Sequence, residues 1–437
     1  MMNPELRRNL WLELSLHRLI AMPGVLALVF GLIYALNRDA PAEPLASASA
    51  MLFVAICIVW GTLHAGDAVI AEVRGRTWDG QRMSAVDPWP MTLGKLAGAT
   101  VFAWYGGILC MLVFLACSPE ISAPQIAGML VAGALLLQAL ALVGGIAAAR
   151  KGVVRSGPGG WAVAVLFLVG GPSVAALSGN EEPVLWWGRE WARADFMFCT
   201  LAVFAAWAVF GAHRLMCQEL QVRTLPWAWI AFLLFLAGFV SGFAIRASDA
   251  WSQVRNVHFA GALVVSLAAV YPLLLAEVSA PMALRRVLFR LRTGERRRAL
   301  EEAPLWPLTL ALAALFTLLT MLVAGGRRAE GELFAAVQLA PLPLLLLAVR
   351  DAAIFMWFSF AAQPRRVEAS AVLYMVVLYG LVPAILRAMD ARALADLVLP
   401  PFWDRPGYAV AVAGVHALLA VAAAVWRWKR NYAIRAE

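Results

Sequence analysis

Residues 72–99 read EVRGRTWDGQRMSAVDPWPMTLGKLAGA and form the most polar connection in the first half of an otherwise apolar chain. They lie between two apolar runs and contain four basic residues, three acidic residues, two tryptophans and two prolines. A plain linker does not need this mixture. A short amphipathic helix that lies on a membrane surface and docks against a soluble partner does need it, and the stretch is predicted to be such a helix.

The composition excludes an ordinary soluble domain, because the chain is too apolar to bury its surface in water. Hydrophobic residues make up 62% of the 437 residues, charged residues only 14%, and the mean hydropathy is +0.77. Soluble domains average about 45–50% apolar and about 25% charged residues. The five cysteines are scattered without a CxxC pair, which argues against a metal or thiol-redox framework. The chain is therefore predicted to be an all-α polytopic membrane protein.

Apolar runs of the length of a membrane span, about 20 residues, follow one another along the chain. Twelve such runs are predicted as transmembrane helices, at residues 19–36, 50–70, 96–117, 123–149, 159–178, 195–213, 226–245, 256–276, 305–324, 333–349, 369–387 and 407–426. Because the count is even, both termini are predicted to lie on the same side of the membrane.

Loop charges predict the orientation, because basic residues accumulate on the cytoplasmic side of membrane proteins. With the N-terminus inside, most of the 36 Lys and Arg residues fall in cytoplasmic segments, including Arg350, Arg365 and Arg366 after the tenth run. Both termini are then cytoplasmic, in a multi-pass protein of a bacterial inner membrane. The net charge of +9 follows from this topology, so no nucleic-acid partner is needed to explain it.

The chain is predicted to consist of two related six-helix halves, residues 1–218 and 219–437. Before the sixth run stands EPVLWWGREWARADF, which resembles LPPFWDRPGYAV before the twelfth run. Parallel halves related by an axis along the membrane normal are a known transporter layout. The N-terminal segment adds an amphipathic interfacial helix, with Leu6, Leu10 and Leu14 at helical spacing.

Within residues 72–99, several residue types predict a well-anchored junction between the second and third spans. Pro88 is expected to begin a helical turn and Trp89 to face the lipid surface. Gly94 and Gly98 permit close helix approach, and Lys95 is expected to extend its ammonium group to the inner interface. Four side chains are expected to remain in water and face a partner: Arg74, Arg76, Asp79 and Arg82. The alternative is an ordinary basic cytoplasmic loop.

The sequence contains, in this order, an amphipathic entry helix, two spans, Glu–x–Arg–x–Arg–Thr, a short helix, Pro–Trp, and Gly–Lys at the start of the third span. This arrangement resembles the permease, or membrane subunit, of ABC type-2 export transporters. In that family the loop between the second and third spans is a coupling helix, seated in a groove of the ATP-binding subunit. The matching positions are Glu72, Arg76, Thr77, Pro88, Gly94 and Lys95, with Trp89 at a usually apolar position.

The resemblance is good over about residues 1–110, thin through 218 and only inferential beyond. It implies a coupling loop at 72–99 that is anchored at the start of the third span by Gly94 and Lys95. The residues of this loop expected to contact an ATP-binding partner are Glu72, Arg74, Arg76, Thr77, Asp79, Arg82, Pro88 and Trp89.

Typical members of this family have six spans per chain and pair up, whereas twelve are predicted here. The chain is thus expected either to form a homodimer or to act as a self-sufficient fused pair. In a fused pair the basic cytoplasmic loop 278–304 would be the second coupling site, with anionic lipid headgroups as another partner. Its candidate residues are Arg290, Arg292, Arg296 and Arg297.

No phosphate-binding loop is present in the sequence. The only Gly–Lys pair is Gly94–Lys95, which lacks both the upstream glycine spacing and the following Ser or Thr of a Walker A motif. ATP and Mg²⁺ are therefore expected on a separate partner subunit. This chain itself is expected to carry no cofactor, no metal and no catalytic residue.

Two other classes of protein are alternatives to the exporter. A secondary transporter driven by an ion gradient would need acidic residues in the middle of its spans, and almost none are predicted at that depth. A membrane-embedded enzyme or redox subunit would need a convergent cluster of His, Asp or Cys residues, and the sequence offers no convincing one. His64 and His258 could serve as haem ligands, but His64 and Asp67 are better explained as a local pair near the headgroups. The outer segment 181–195 is predicted to be either an interfacial helix or a tryptophan belt.

Overall fold

The computed structural model shows an all-α, multi-pass membrane protein. It describes residues 3–84, 86–119, 122–150, 182–246, 249, 251–277, 281–323, 340–361, 367–402 and 405–432. Among these residues, ten helices are long and apolar enough to cross a membrane, and a bent pair of helices would make an eleventh. The predicted all-α membrane fold is confirmed, whereas the number of twelve spans stays a prediction.

Contacts divide the chain into two compact units. The first unit comprises Met1–Val184 and Trp191–Thr224, and the second comprises Leu185–Glu190 and Leu225–Glu437. The predicted boundary at 218/219 lies six residues from the boundary of the contact units. That the two parts are related six-helix halves stays a prediction.

The described helices of the first unit vary from five to 28 residues in length. They are α1 (Pro4–Glu13), α2 (Leu16–Leu36), α3 (Ala42–Phe53), a π-helical turn (Val54–Trp60), α4 (Gly61–Asp67), α5 (Ile70–Arg74), α6 (Trp78–Arg82), α7 (Pro88–Ala99), α8 (Val101–Cys117), α9 (Ala123–Arg150) and α10 (Arg193–Glu219). A two-stranded hairpin, β1 (Val184–Trp186) and β2 (Arg189–Trp191), precedes α10.

The second unit contains the remaining helices. They are α11 (Trp227–Ser241) with a 3₁₀ turn (Gly242–Ala244), α12 (Trp251–Ala276), α13 (Pro281–Arg292), α14 (Arg296–Glu302), α15 (Leu305–Leu322), α16 (Pro341–Ser359), α17 (Val367–Val376), a π-helical turn (Val377–Leu381), α18 (Val382–Ala388), α19 (Arg392–Val398) and α20 (Pro406–Tyr432). Its spans pack through small and aliphatic side chains such as Ala260, Leu263 and Ala313 in one core and Val270, Leu274 and Ala352 in another.

Two predicted spans differ from the observed helices, and one cannot be compared. The third span is not straight, because α7 and α8 meet at a bend of 58° around Thr100. The span predicted at 333–349 ends too early, since the helix there runs Pro341–Ser359; residues 333–339 lie outside the described residues. The run at 159–178 lies outside the described residues.

A buried polar side chain on α9 forms a hydrogen bond with the π-helical turn inside the second span. The Gln138 amide group is fully buried, donates to the Cys57 carbonyl oxygen at 2.9 Å, and accepts from Trp104 Nε1 at 2.9 Å. π-Turns disturb the regular helical hydrogen bonds, and in lipid every backbone polar group needs a partner. Gln138 supplies that partner and thereby fixes the register of α9 against the second span.

Close packing of α4 on α9 depends on two glycines. A Cβ atom at Gly145 would overlap the backbone carbonyl of Gly66, which cannot move as a side chain can. We expect Gly145→Leu to destabilise the protein by about 1–3 kcal/mol, because overpacking forces the helices apart. Gly133→Leu on the same helix is the matched control, since a Cβ there meets no atom within 4 Å. Equal unfolding free energies of the two variants in detergent would contradict the packing argument.

The segment 181–195 contains a β-hairpin, so the prediction of an interfacial helix is wrong, whereas the alternative of a tryptophan belt stays a prediction. Trp187 and Gly188 at its turn have φ angles of 52° and 68°. Two positive φ angles in sequence are typical of a type I′ hairpin turn, which the Trp–Gly pair permits. In the second unit, Trp186 Nε1 donates to the Phe239 carbonyl oxygen at 3.0 Å.

Candidate functional site

The N-terminal helix α1 packs directly on α7, the helix that opens the third span. Asn3 caps α1 by accepting from the backbone N–H groups of Glu5 and Leu6 at 3.0 and 3.3 Å. The same side chain donates to the Pro90 carbonyl oxygen at 2.6 Å. Asn3 therefore fixes the start of α1 and its position on α7 together.

A buried network of four charges joins α1 to both ends of the 72–99 segment. Lys95 Nζ lies 2.8 Å from Glu5 Oε1, forms an ion pair with Glu72, and donates to Gln81 Oε1 at 2.7 Å. Arg8 pairs with the same two carboxylates, at 2.9 Å from Glu5. Two cations thus balance two anions at one place.

The network is buried to different degrees at its two ends. Lys95 is 1% exposed and Glu5 is 7% exposed, whereas the Arg8 side chain is 40% exposed. Burial lowers the pKa of Arg8, but hydrogen bonding and attraction to Glu72 and Glu5 outweigh burial and raise it above its ordinary value. The expectation that Lys95 extends to the membrane interface is wrong, because two carboxylates hold its ammonium group inside the protein.

The two glycines of α7 face α1. A Cβ atom at Gly94 would lie 2.5 Å from the Glu5 side chain, and one at Gly98 would lie 2.6 Å from Asn9 Nδ2. The Asn9 side chain also donates to the Gly94 carbonyl oxygen at 3.3 Å. The glycine spacing of the sequence therefore serves the packing of the N-terminal helix.

Some of the predicted coupling residues lie on the surface, in the turn between α5 and α7. Arg76 is exposed with a φ of 56°, and Thr77 and Asp79 are exposed beside it. Arg74 is exposed but pairs with Asp67 at 2.7 Å. This pair replaces the predicted His64–Asp67 pair; His64 instead packs edge-on against Trp60, with ring centroids 5.0 Å apart. An open charged surface remains at the turn.

Other predicted coupling residues serve the fold as well. Arg82 Nε donates to the Glu219 carbonyl oxygen at 3.1 Å, which ties the turn to the end of α10. Trp89 stacks on His213 of α10 at a centroid distance of 3.9 Å and is 42% exposed. Pro88 is the first residue of α7. Met83, which lies between Arg82 and Pro88 in the sequence, is 82% exposed on the open side of the turn.

The second predicted coupling loop, 278–304, is built differently. Arg290 pairs with Glu295 at 3.1 Å and Glu302 at 2.8 Å, and Arg297 pairs with Glu301 at 3.2 Å. Hydrogen bonding to Arg298 and the charge of Arg290 hold the pKa of Glu295 below its ordinary value. The remaining two candidates are exposed: Arg292 and Arg296. Residues 278–280 lie outside the described residues.

α13 in this loop has the character of a helix that lies on a membrane surface. Its basic residues alternate with exposed apolar side chains, of which Met282, Leu288 and Phe289 are 55%, 48% and 66% exposed. A helix with basic and apolar faces binds anionic lipid interfaces. On α13 itself, Arg290 is ion-paired, whereas Arg292 is exposed.

The sequence prediction is wrong for the position of Arg350 and for the acidic residues in the middles of the spans. Arg350 was placed in a cytoplasmic loop, and the middles of the spans were expected to hold almost no acidic residue. The structure places Arg350 and Asp351 near the centre of α16, with exposures of 3% and 0%. The apolar run before Arg350 hid the helix start at Pro341, where proline occupies the first helical position.

The sequence also missed Glu5 as a member of the network, although Lys95 within an apolar segment signals the need for a carboxylate partner. Among the residues that the structure describes, no group of three or more His, Cys, Asp or Glu side chains is arranged to hold a metal ion. Comparisons with family models, with curated proteins and with solved structures each found no match to this chain.

Proposed function

We propose that this chain is the permease of an ATP-driven ABC exporter, acting with a separate ATP-binding subunit in a bacterial inner membrane. Both termini lie in the cytoplasm in this proposal. The observation that carries it is the Glu5–Arg8–Glu72–Lys95 network. This network joins the N-terminal helix to the end of the second span and to the start of the third.

Coupling by such a partner requires that a push on the surface turn reach the membrane helices. A flexible loop would absorb the movement locally, whereas a segment held by buried ion pairs moves as a unit. In this chain the surface turn is flanked by α5 and α7, and both are bound to α1, through the Glu72–Arg8 and Lys95–Glu5 pairs. A displacement of the turn is therefore passed to three helices at once.

The exposed part of the turn is suited to a soluble partner. It offers charged and apolar groups side by side, namely Arg74, Arg76, Asp79 and the largely exposed Met83. Mixed surfaces of this kind are typical of transient protein–protein contacts. In the fused-pair form of the proposal, residues 278–304 take the same role for the second half of twelve spans.

Purification of the tagged chain from its own host in mild detergent tests the proposal. We expect a stoichiometric subunit that carries a Walker A motif to co-purify, and its ATP hydrolysis to depend on the presence of this chain. A chain that purifies alone, or a partner without a nucleotide site, would contradict the exporter proposal.

A transporter driven by an ion gradient is the second candidate. The observation that favours it is Asp351, a fully buried carboxylate near the middle of a span. Intramembrane carboxylates of this kind carry protons or cations in many transporters. Transport by the reconstituted chain without any ATP-binding subunit, abolished by collapsing the ion gradient, would decide for this candidate.

A further inference from the structure

The second unit contains a buried ionisable cluster in the middle of its spans. Arg350 Nε donates to Asp351 Oδ1 at 2.9 Å. The hydroxyl groups of Tyr271 on α12 and Tyr379 in the π-helical turn after α17 donate to Asp351 Oδ2 at 2.9 and 2.6 Å. Asp351 therefore accepts hydrogen bonds from three side chains on three different segments and needs no further donor.

Arg350 is not satisfied in the same way. Its Nη2 atom lies 2.9 Å from Asp351 Oδ1 in the ion pair, whereas its buried Nη1 atom has no hydrogen-bond acceptor within the described part of the chain. The guanidinium also lies 4.9 Å from the Tyr379 ring centroid. A buried guanidinium with an unpaired Nη1 group is costly, so its presence requires an explanation.

Arg350 lines a cavity of about 370 Å³. Arg350, His416, Tyr374 and Trp357 bring polar groups to its wall, and Ile354, Leu378 and Ala420 are among the apolar members. His416 Nδ1 is also buried without a hydrogen-bond partner among the described residues. Cavities of about 300–1,000 Å³ with apolar walls and a few polar groups are the usual form of a small-molecule site.

The cavity is open along the apolar surface of the spans. Leu419 and Tyr374 at its edge are 65% and 44% exposed, and they belong to α20 and α17. Exposed apolar side chains of membrane spans face the acyl chains. A ligand that reaches this cavity from that side must itself be soluble in the bilayer.

We propose that this cavity binds the anionic headgroup of a single-chain amphipath, a carboxylate or a phosphate, which enters from the bilayer. The unpaired Nη1 group of Arg350 supplies a charged donor for one oxygen of such a headgroup. His416 supplies a second donor from α20. Because Asp351 is already held by its own three donors, the ligand does not have to displace it. This inference is independent of how transport is energised.

Binding of radiolabelled dodecanoate and dodecyl phosphate to the full chain in phosphatidylcholine nanodiscs tests the proposal. We expect saturable binding of at least one of the two, and their comparison separates a carboxylate from a phosphate ligand. Arg350→Gln should weaken this binding about tenfold or more, because a charge-assisted hydrogen bond is lost. Arg392→Gln, which removes an exposed guanidinium of the same unit, should leave it unchanged.

A second variant keeps the test valid if Arg350→Gln fails to fold. Ala423 is an exposed residue at the edge of the cavity, so Ala423→Phe should fill the mouth and abolish binding without changing any charge. Dodecan-1-ol that binds as tightly as the anions would overturn the proposal. So would affinities for both anions that are unaffected by Ala423→Phe, or the absence of saturable binding of either anion.

Discussion

Lys95→Met is expected to destabilise the protein by about 3–5 kcal/mol, because it leaves two buried carboxylates without their shared cation. Glu5 and Glu72 both pair with Lys95, which is 1% exposed. The partly exposed Arg8 guanidinium cannot compensate for a cation lost from the centre of the network. The free energy of unfolding in mixed detergent micelles, followed by tryptophan fluorescence, measures the effect.

Arg74→Met is the matched control for this prediction. It removes a cation from the same segment, but its pair with Asp67 is partly exposed, so we expect a cost of about 0–1 kcal/mol. Adding Glu72→Gln to Lys95→Met should recover part of the lost stability, since one unpaired charge is removed. Similar costs for Lys95→Met and Arg74→Met would refute the buried network.

Arg76→Glu is expected to reduce association with the ATP-binding subunit about tenfold or more, because charge reversal at a contact sets like charges against each other. The residue is exposed, so the stability of the chain should change by no more than about 0.5 kcal/mol. Reversal at Arg82 is a less clean test, since Arg82 also donates to the Glu219 carbonyl oxygen. Co-purified ATPase per permease and ATP-dependent export together measure the effect.

Arg38→Glu provides the control for charge reversal. Arg38 is exposed in the turn between α2 and α3, at the opposite end of the second span from Arg76. The same change of charge there should leave association and export unchanged. Normal association of the Arg76→Glu variant, or an equal loss in both variants, would remove the surface turn from the coupling mechanism.

Hydropathy located most spans because a membrane span depends on local composition. The run predicted at 123–149 is the helix Ala123–Arg150, and the run at 369–387 is the helix Ala369–Ala388. Hydropathy does not locate the end of the span at 333–349, because the Arg350–Asp351 pair resembles the end of a span. Adjacent opposite charges can be neutralised inside a span by side chains from other helices, which local composition does not reveal.

The position of the candidate site could be predicted from the sequence, but its ion pairs and hydrogen bonds could not. The mixture of charges, tryptophan and proline in 72–99 indicated a special segment between two spans. Its principal contact is between Lys95 and Glu5, which are 90 positions apart in the sequence, and no spacing rule connects them. The hairpin has only a weak local signal in Trp187–Gly188, because tryptophan rarely adopts the positive φ that this turn requires.

Photo-crosslinking from the surface turn tests the central claim most directly. A photoreactive phenylalanine analogue at Met83, which is 82% exposed, should crosslink in membranes to a subunit that carries a Walker A motif. The same analogue at exposed Arg38 should give no such adduct. An ATP-binding subunit captured from position 83 alone is the result that the proposed coupling turn predicts. No adduct at position 83, or the same adduct from both positions, would contradict it.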